Sequence, residues 1–107
     1  MKQRFKDKIK LFRIIHNVNK VYISISGELF LKLPENFTGQ YLDWYENGQL
    51  WYEGNYKDGK LHGKCLGWYE NSEKEYEFNY KNGGRHGKCI SWDKNGNIIG
   101  SINWLEL

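Results

Sequence analysis

The sequence predicts an all-β protein, a single-layer antiparallel sheet of tandem β-hairpins. Three observations carry this. The stretch from Tyr52 to Gly63, YEGNYKDGKLHG, returns from Tyr76 to Gly87 as YEFNYKNGGRHG, 24 residues later. A fixed period is the mark of repeat architectures, in which each unit buries its apolar side only against its neighbours. Apolar residues alternate along these stretches with period two, the strand period. Gly and Asn recur between them at turn positions.

The bulk numbers agree. A chain of 107 residues makes one domain. Apolar residues are 39% of it, too few for a thick core, while 17% aromatics, with five Trp and eight Tyr, are too many for a disordered chain. Net charge is +3, unevenly placed: Lys2, Arg4, Lys6, Lys8, Lys10, Arg13 and Lys20 face only Asp7 within residues 1–20. No apolar run has the length of a membrane span, and no signal-peptide pattern opens the chain. Two cysteines do not make a disulfide framework. A reduced, cytoplasmic protein is the expectation.

Taken in order, residues 1–20 form a basic N-terminal segment. Phe5, Ile9, Phe12 and His16 recur at helical spacing. A strand over Ile9 to Ile15 that turns at Asn17-Val18-Asn19 competes with that helix. Residues 21–38 read as a leading hairpin or a degenerate repeat. Val21 to Ser26 alternates as a strand, Ser26-Gly27-Glu28 turns, and Leu29 to Leu33 returns before Pro34. Residues 39–107 align without gaps as three rows, 39–62, 63–86 and a shorter, capping 87–107. Gly39, Gly63 and Gly87 share a column, as do Trp44, Trp68 and Trp92, and Asn55, Asn79 and Asn103.

Each row reads as a hairpin. Parity then constrains its turn. Placing Leu42 and Trp44 on one face with Tyr52 and Tyr56 requires a three-residue loop, Glu46-Asn47-Gly48. That loop pairs Trp44 with Leu50 and Leu42 with Tyr52, and puts Gly48 in the left-handed position. Lys94-Asn95-Gly96 can do the same. Ser72 holds the glycine position of the middle row, so that turn is expected to be strained or rearranged. The longer connection from Lys57 to Gly63 links one hairpin to the next. Gly59 and Gly83 supply positive φ there, Gly63 and Gly87 allow a bend or close approach, and His62 and His86 brace the connection.

The segment Tyr52-Glu53-Gly54-Asn55-Tyr56, followed by Asp58-Gly59-Lys60-Leu61-His62-Gly63, resembles the MORN (membrane occupation and recognition nexus) repeat. Trp44-Tyr45-Glu46-Asn47-Gly48 is more similar to the variant found in bacterial and viral proteins grouped as antitoxins of toxin–antitoxin loci. The resemblance spans roughly residues 37–104. Phe78 departs from it at the Tyr-Glu-Gly glycine, Gly84-Arg85 departs at Gly-Lys, and the third row lacks Tyr-Glu-Gly. The resemblance implies a twisted, non-catalytic hairpin array that binds other molecules.

Residue chemistry points the same way. His62-Gly63-Lys64-Cys65 and His86-Gly87-Lys88-Cys89 offer zinc-type ligands. Equivalent positions in adjacent hairpins, however, lie about 9–10 Å apart, too far for one metal or a disulfide. No cofactor, metal or catalytic group is expected. The candidate partner-binding residues are Trp44, Trp68 and Trp92 with Tyr52, Tyr56, Tyr76 and Tyr80, expected as ladders along one face. Cross-strand packing alone also accounts for such ladders. The partner expected is a protein, by resemblance a toxin. The basic arm makes an anionic membrane surface the alternative, with nucleic acid behind it. The final strand, Ile98 to Trp104, is an edge that could pair with a second copy.

Overall fold

The computed structural model describes residues 2–105. It begins with helix α1, Gln3–His16. The strands follow: β1 Lys20–Ser24, β2 Leu29–Phe30, β3 Gly39–Trp44, β4 Leu50–Lys57, β5 Lys60–Leu61, β6 Gly63–Trp68, β7 Lys74–Lys81, β8 Gly84–Arg85, β9 Lys88–Trp92 and β10 Ile98–Asn103. The strands form one antiparallel sheet in the order β10-β9-β7-β6-β4-β3-β1-β2, with β5 added beside β4 and β8 beside β7. The fold class read from the repeats is therefore the observed one. Residues 106 and 107 of the third row lie outside the described residues.

Of the N-terminal segment, Gln3–His16 resolves in favour of helix, and residue 1 lies outside the described residues. Phe5, Ile9 and Phe12 turn toward the sheet, where Ile9 joins Val21, Ile23 and Leu42 in a buried cluster edged by Trp44 and Leu50. No cap closes this helix at its start. Lys2 gives no side-chain cap and the first turn carries no acid, so the macrodipole is not offset there. Its end is better made. Asn17 adopts φ 53° and the chain closes with Val18 N–H donating to the Arg13 carbonyl at 3.0 Å. Packing against the sheet, rather than intrinsic propensity, keeps α1 folded.

The leading hairpin is shorter than expected. Its return strand stops at Phe30 instead of reaching Leu33. Phe37 behind it is buried and touches the rings of Tyr22, Phe30 and Tyr56 on the sheet face away from α1.

The three-residue turn is as expected. Gly48 has φ 87°, Tyr45 N–H donates to the Gln49 carbonyl at 2.7 Å, and Trp44 lies opposite Leu50. Ser72 keeps the same turn rather than rearranging it, at φ 71° with the equivalent hydrogen bonds. The strain is carried, on the order of 1 kcal/mol for a non-glycine residue in this region.

Beyond the turn the expected pairing fails. Leu42 lies opposite Glu53, and Asp43 opposite Tyr52. One extra residue on β4, Trp51, makes a bulge between the Trp44 and Asp43 pairs. The bulge recurs in the same column at Glu75 and Ile99. A one-residue slip exchanges the faces of everything that follows in a strand.

The Lys57–Gly63 connection is also more ordered than a loop. Asp58 and Gly59 both have positive φ, 51° and 83°, and Lys57 pairs with Lys60. This is the mirror-image two-residue hairpin turn. Asn82 and Gly83 repeat it, at 51° and 88°.

Candidate functional site

The bulges divide the expected aromatic stripe between two faces. Trp44, Leu42, Glu53, Leu66, Trp68, Glu77, Ile90 and Trp92 share the face on which α1 lies, as the register of opposed residues shows. Tyr52, Tyr56, Tyr76, Phe78 and Tyr80 stand on the other face, with Asp43, Cys65, Gly67 and Ser91. The expectation of one ladder containing Trp44, Trp68, Trp92, Tyr52, Tyr56, Tyr76 and Tyr80 is thus corrected to two surfaces.

The tyrosine face is nearly continuous. Tyr22 packs on Tyr41 with ring centroids 4.6 Å apart, Tyr41 lies 5.8 Å from Tyr52, and Tyr76 stacks on Phe78 at 4.9 Å. Close approach of rings to backbone makes this possible. The Tyr76 ring lies across Gly67, where an added Cβ would come within 2.3 Å of it. The candidate residues Tyr52, Tyr56, Tyr76 and Tyr80 are all half-buried, and Phe37 packs against the Tyr56 ring at 6.0 Å.

Burial governs the titration of this face. Desolvation, reinforced by the donation of the Tyr41 hydroxyl to Asp43 Oδ2 at 2.9 Å, pushes the Tyr41 phenol far up. Burial pushes Tyr52 up beside the Cys65 thiol, and lifts Tyr76 to about 12. A raised phenol favours the neutral form in the fold. Its contribution is fully present below the ordinary value near 10 and is lost as pH rises through the folded value of about 12. Alkaline titration is therefore expected to unfold the sheet cooperatively in that window. Phenolate absorbance and circular dichroism should change together; phenolate formation with the circular dichroism unchanged would contradict this.

The helix-side face is split. Arg13 of α1 lies over the Trp44 ring, 3.9 Å from its centroid, and burial lowers the guanidinium pKa. Lys74 extends over Trp92 at 5.6 Å and pairs with Glu77 at 3.1 Å. Here the sheet is a mosaic of Leu66, Trp68 and Ile90 with charged neighbours.

The turn residues stitch repeat to repeat. Gly59 N–H donates to the Phe37 carbonyl at 2.8 Å, and Gly83 N–H to the Leu61 carbonyl at 2.9 Å. His62 Nδ1 accepts from the Asn82 N–H at 3.5 Å, and Thr38 does the same office for Asp58 at 3.0 Å. Strand β7 runs between the strands that bear Cys65 and Cys89, with Phe78 opposite Cys65.

Two columns that sequence reasoning left without a role complete the stitching. Tyr45 and Tyr69 hydroxyls donate to the Trp68 and Trp92 carbonyls of the next repeat, at 2.6 and 2.8 Å. Asn55 and Asn79 amides donate to the Lys64 and Lys88 carbonyls, at 2.7 and 2.6 Å. The ladder between β4 and β6 has only two pairs, Tyr52 with Gly67 and Glu53 with Leu66. The Asn side chain spans the gap where the strands diverge. The sequence held a signal: the tyrosine column becomes Asp93 in the last row. There Asp93 accepts from Asn95 and Asn97 N–H within its own turn, which lowers its pKa.

Asn55→Ala should remove one net hydrogen bond, about 1 kcal/mol. Asn55→Asp should cost more, because a carboxylate would face the Lys64 carbonyl with no proton to donate. Denaturant midpoints rank the two; equal losses would count against the amide bridge.

The class is now defined: a one-layer array of hairpins, each stitched to the next by side chains that recur with the period. The family described as MORN repeat variant matches residues 37–58, 61–82 and 85–105. The chain belongs to that family. The matched units keep the period of the rows but begin two residues before Gly39, Gly63 and Gly87, which puts Phe37 and Thr38 with the repeat whose turn they brace. Neither the curated proteins nor the solved structures give a match.

Proposed function

We propose that this protein is a non-enzymatic scaffold that binds a protein partner across its tyrosine face. The observation that carries the reading is the row Tyr52, Tyr76, Phe78 and Tyr80, each half-buried on one sheet face, with Tyr76 stacked on Phe78 and Arg85 lying 5.2 Å over the Phe78 ring. Extended aromatic surfaces are suited to interfaces, because large, stiff rings bury much area at little entropic cost. Membership of an interaction-repeat family supports the same reading.

A narrower form makes the partner a toxin, on the resemblance of Trp44 to Gly48 alone. Cytoplasmic residence belongs to the same proposal, and the unbridged Cys65 and Cys89 are compatible with it.

The division of faces supplies the test. Tyr80→Ala removes a ring from the tyrosine face, and Trp68→Ala removes one from the helix side. Affinity capture from the native host, with proteins identified by mass spectrometry, should retain a specific partner with wild type and Trp68→Ala and lose it with Tyr80→Ala. Retention by Tyr80→Ala with circular dichroism unchanged would reject the tyrosine face. Capture of a small protein encoded beside this one would support the toxin form.

A further inference from the structure

One flank of α1 leaves a groove against the sheet. Lys6, Lys10 and Arg13 follow one another at four and three residues, so they share a helical face. That face runs beside the stripe by which α1 docks, and it forms one wall of the groove. The floor is the sheet surface of Leu42, Trp44 and Leu50. Long cations stand where apolar side chains would have closed the space. Gly48 leaves the turn side open, since even an added Cβ there would meet nothing within 4 Å. The space is about 530 Å³, within the range of sites that hold small molecules, roughly 300–1,000 Å³.

The charged wall has no complement within the fold. Arg13 Nε is buried and meets no acceptor. A buried donor left without a partner is costly, and it marks a group that a ligand can satisfy. Asp43, the acid that acts on Arg13, stands on the opposite face of the sheet, where the Tyr41 hydroxyl donates to it at 2.9 Å. Among the described residues no ion pair reaches Lys6, Lys10 or Arg13, and no acid lines the groove.

We propose that this groove binds a small organic carboxylate with an apolar body. The body covers Leu42 and Leu50, which removes apolar surface from water. The head accepts from Arg13, whose planar fork matches two carboxylate oxygens, and Lys6 and Lys10 add positive charge beside it. A carboxylate suits the groove better than a phosphate monoester, which would bring about −1.5 to −2 charges against an apolar floor. A second copy of the chain would bring the same cations and no complement. The groove lies on the helix side of the sheet, so its occupation leaves the tyrosine face free. The inference stands whether or not a protein binds that face.

Titration of the full chain with naphthoate, followed by proton–nitrogen NMR of side-chain N–H groups, tests it. The Arg13 Nε–H and Trp44 indole N–H resonances should shift saturably. Naphthalenemethanol keeps the body without the charge, and acetate keeps the charge without the body. Each should bind at least about tenfold more weakly than naphthoate. Naphthyl phosphate should bind no more tightly than naphthoate. Lys6→Glu/Lys10→Glu should weaken naphthoate binding by about tenfold. Both side chains are exposed, so this variant should keep the wild-type circular dichroism. Arg13→Lys keeps the charge but lacks the fork and the Nε–H, and should also cost about tenfold. If Arg13→Lys disturbs the docking of α1, the Lys6/Lys10 double variant still decides. The proposal is overturned if the Arg13 resonance does not shift, if naphthalenemethanol binds as well as naphthoate, or if naphthyl phosphate binds more tightly. Naphthoate affinity unchanged by Lys6→Glu/Lys10→Glu would overturn it too. So would a dimer in sedimentation equilibrium whose dilution shifts the same resonances while naphthoate does not, which would give the groove to a second copy.

Discussion

Gly39→Ala is expected to cost about 3 kcal/mol or more, the upper end for overpacking. A Cβ at Gly39 would stand 2.0 Å from the Ile23 carbonyl oxygen and 2.9 Å from the Ser24 Cα. Those are backbone atoms of β1, which cannot turn aside as a side chain can. The Gly39 φ of 154° also disfavours any L side chain. Gly63 occupies the same column, yet the nearest atom to its added Cβ is Asn55 Cβ at 3.8 Å. Gly63→Ala therefore faces only the backbone penalty at φ 92°, about 1–2 kcal/mol. Urea unfolding followed by tryptophan fluorescence compares the two. Equal losses would show that β1 yields, and that the tight seam between β1 and β3 does not matter.

Ile9→Ala is expected to cost about 2–4 kcal/mol, the usual loss for a large aliphatic side chain removed from a core. Ile9 is 4% exposed and meets Val21, Ile23 and Leu42. Because α1 lacks an N-terminal cap, this contact carries much of the docking. Leu11→Ala, two residues on, should change stability by less than about 0.5 kcal/mol, because its side chain faces solvent. The pair separates the two faces of α1. Trp44 fluorescence should report Ile9→Ala directly, as Arg13 leaves the ring. Similar midpoints for the two variants would refute the assigned orientation of the helix.

Much of the architecture could be read from residues alone. Asn47-Gly48 and Asn95-Gly96 marked the left-handed turns, and the structure has Gly48 and Gly96 both at φ 87°. Gly63 and Gly87 marked where one hairpin passes to the next. The helix was legible in Phe5, Ile9 and Phe12, although only packing excluded a strand. What escaped was the pairing beyond each turn. Trp51, Glu75 and Ile99 look like ordinary strand residues, and nothing in their types announces a bulge. The stitching groups escaped for another reason. A tyrosine hydroxyl that reaches the next repeat, as Tyr45 reaches Trp68, depends on how far neighbouring hairpins lie apart.

The sequence by itself determined the period, the left-handed turn positions and the membership of a repeat family. These follow from local rules: side-chain alternation, positive φ at glycine, and columns copied with the repeat. Only the tertiary structure decided that tryptophans and tyrosines look in opposite directions, and that α1 covers the start of the tryptophan side while presenting Leu11, Ile14 and Ile15 outward. The physical reason is parity. A strand repeats every two residues, so one inserted residue, copied in each repeat, reverses the face of all that follows.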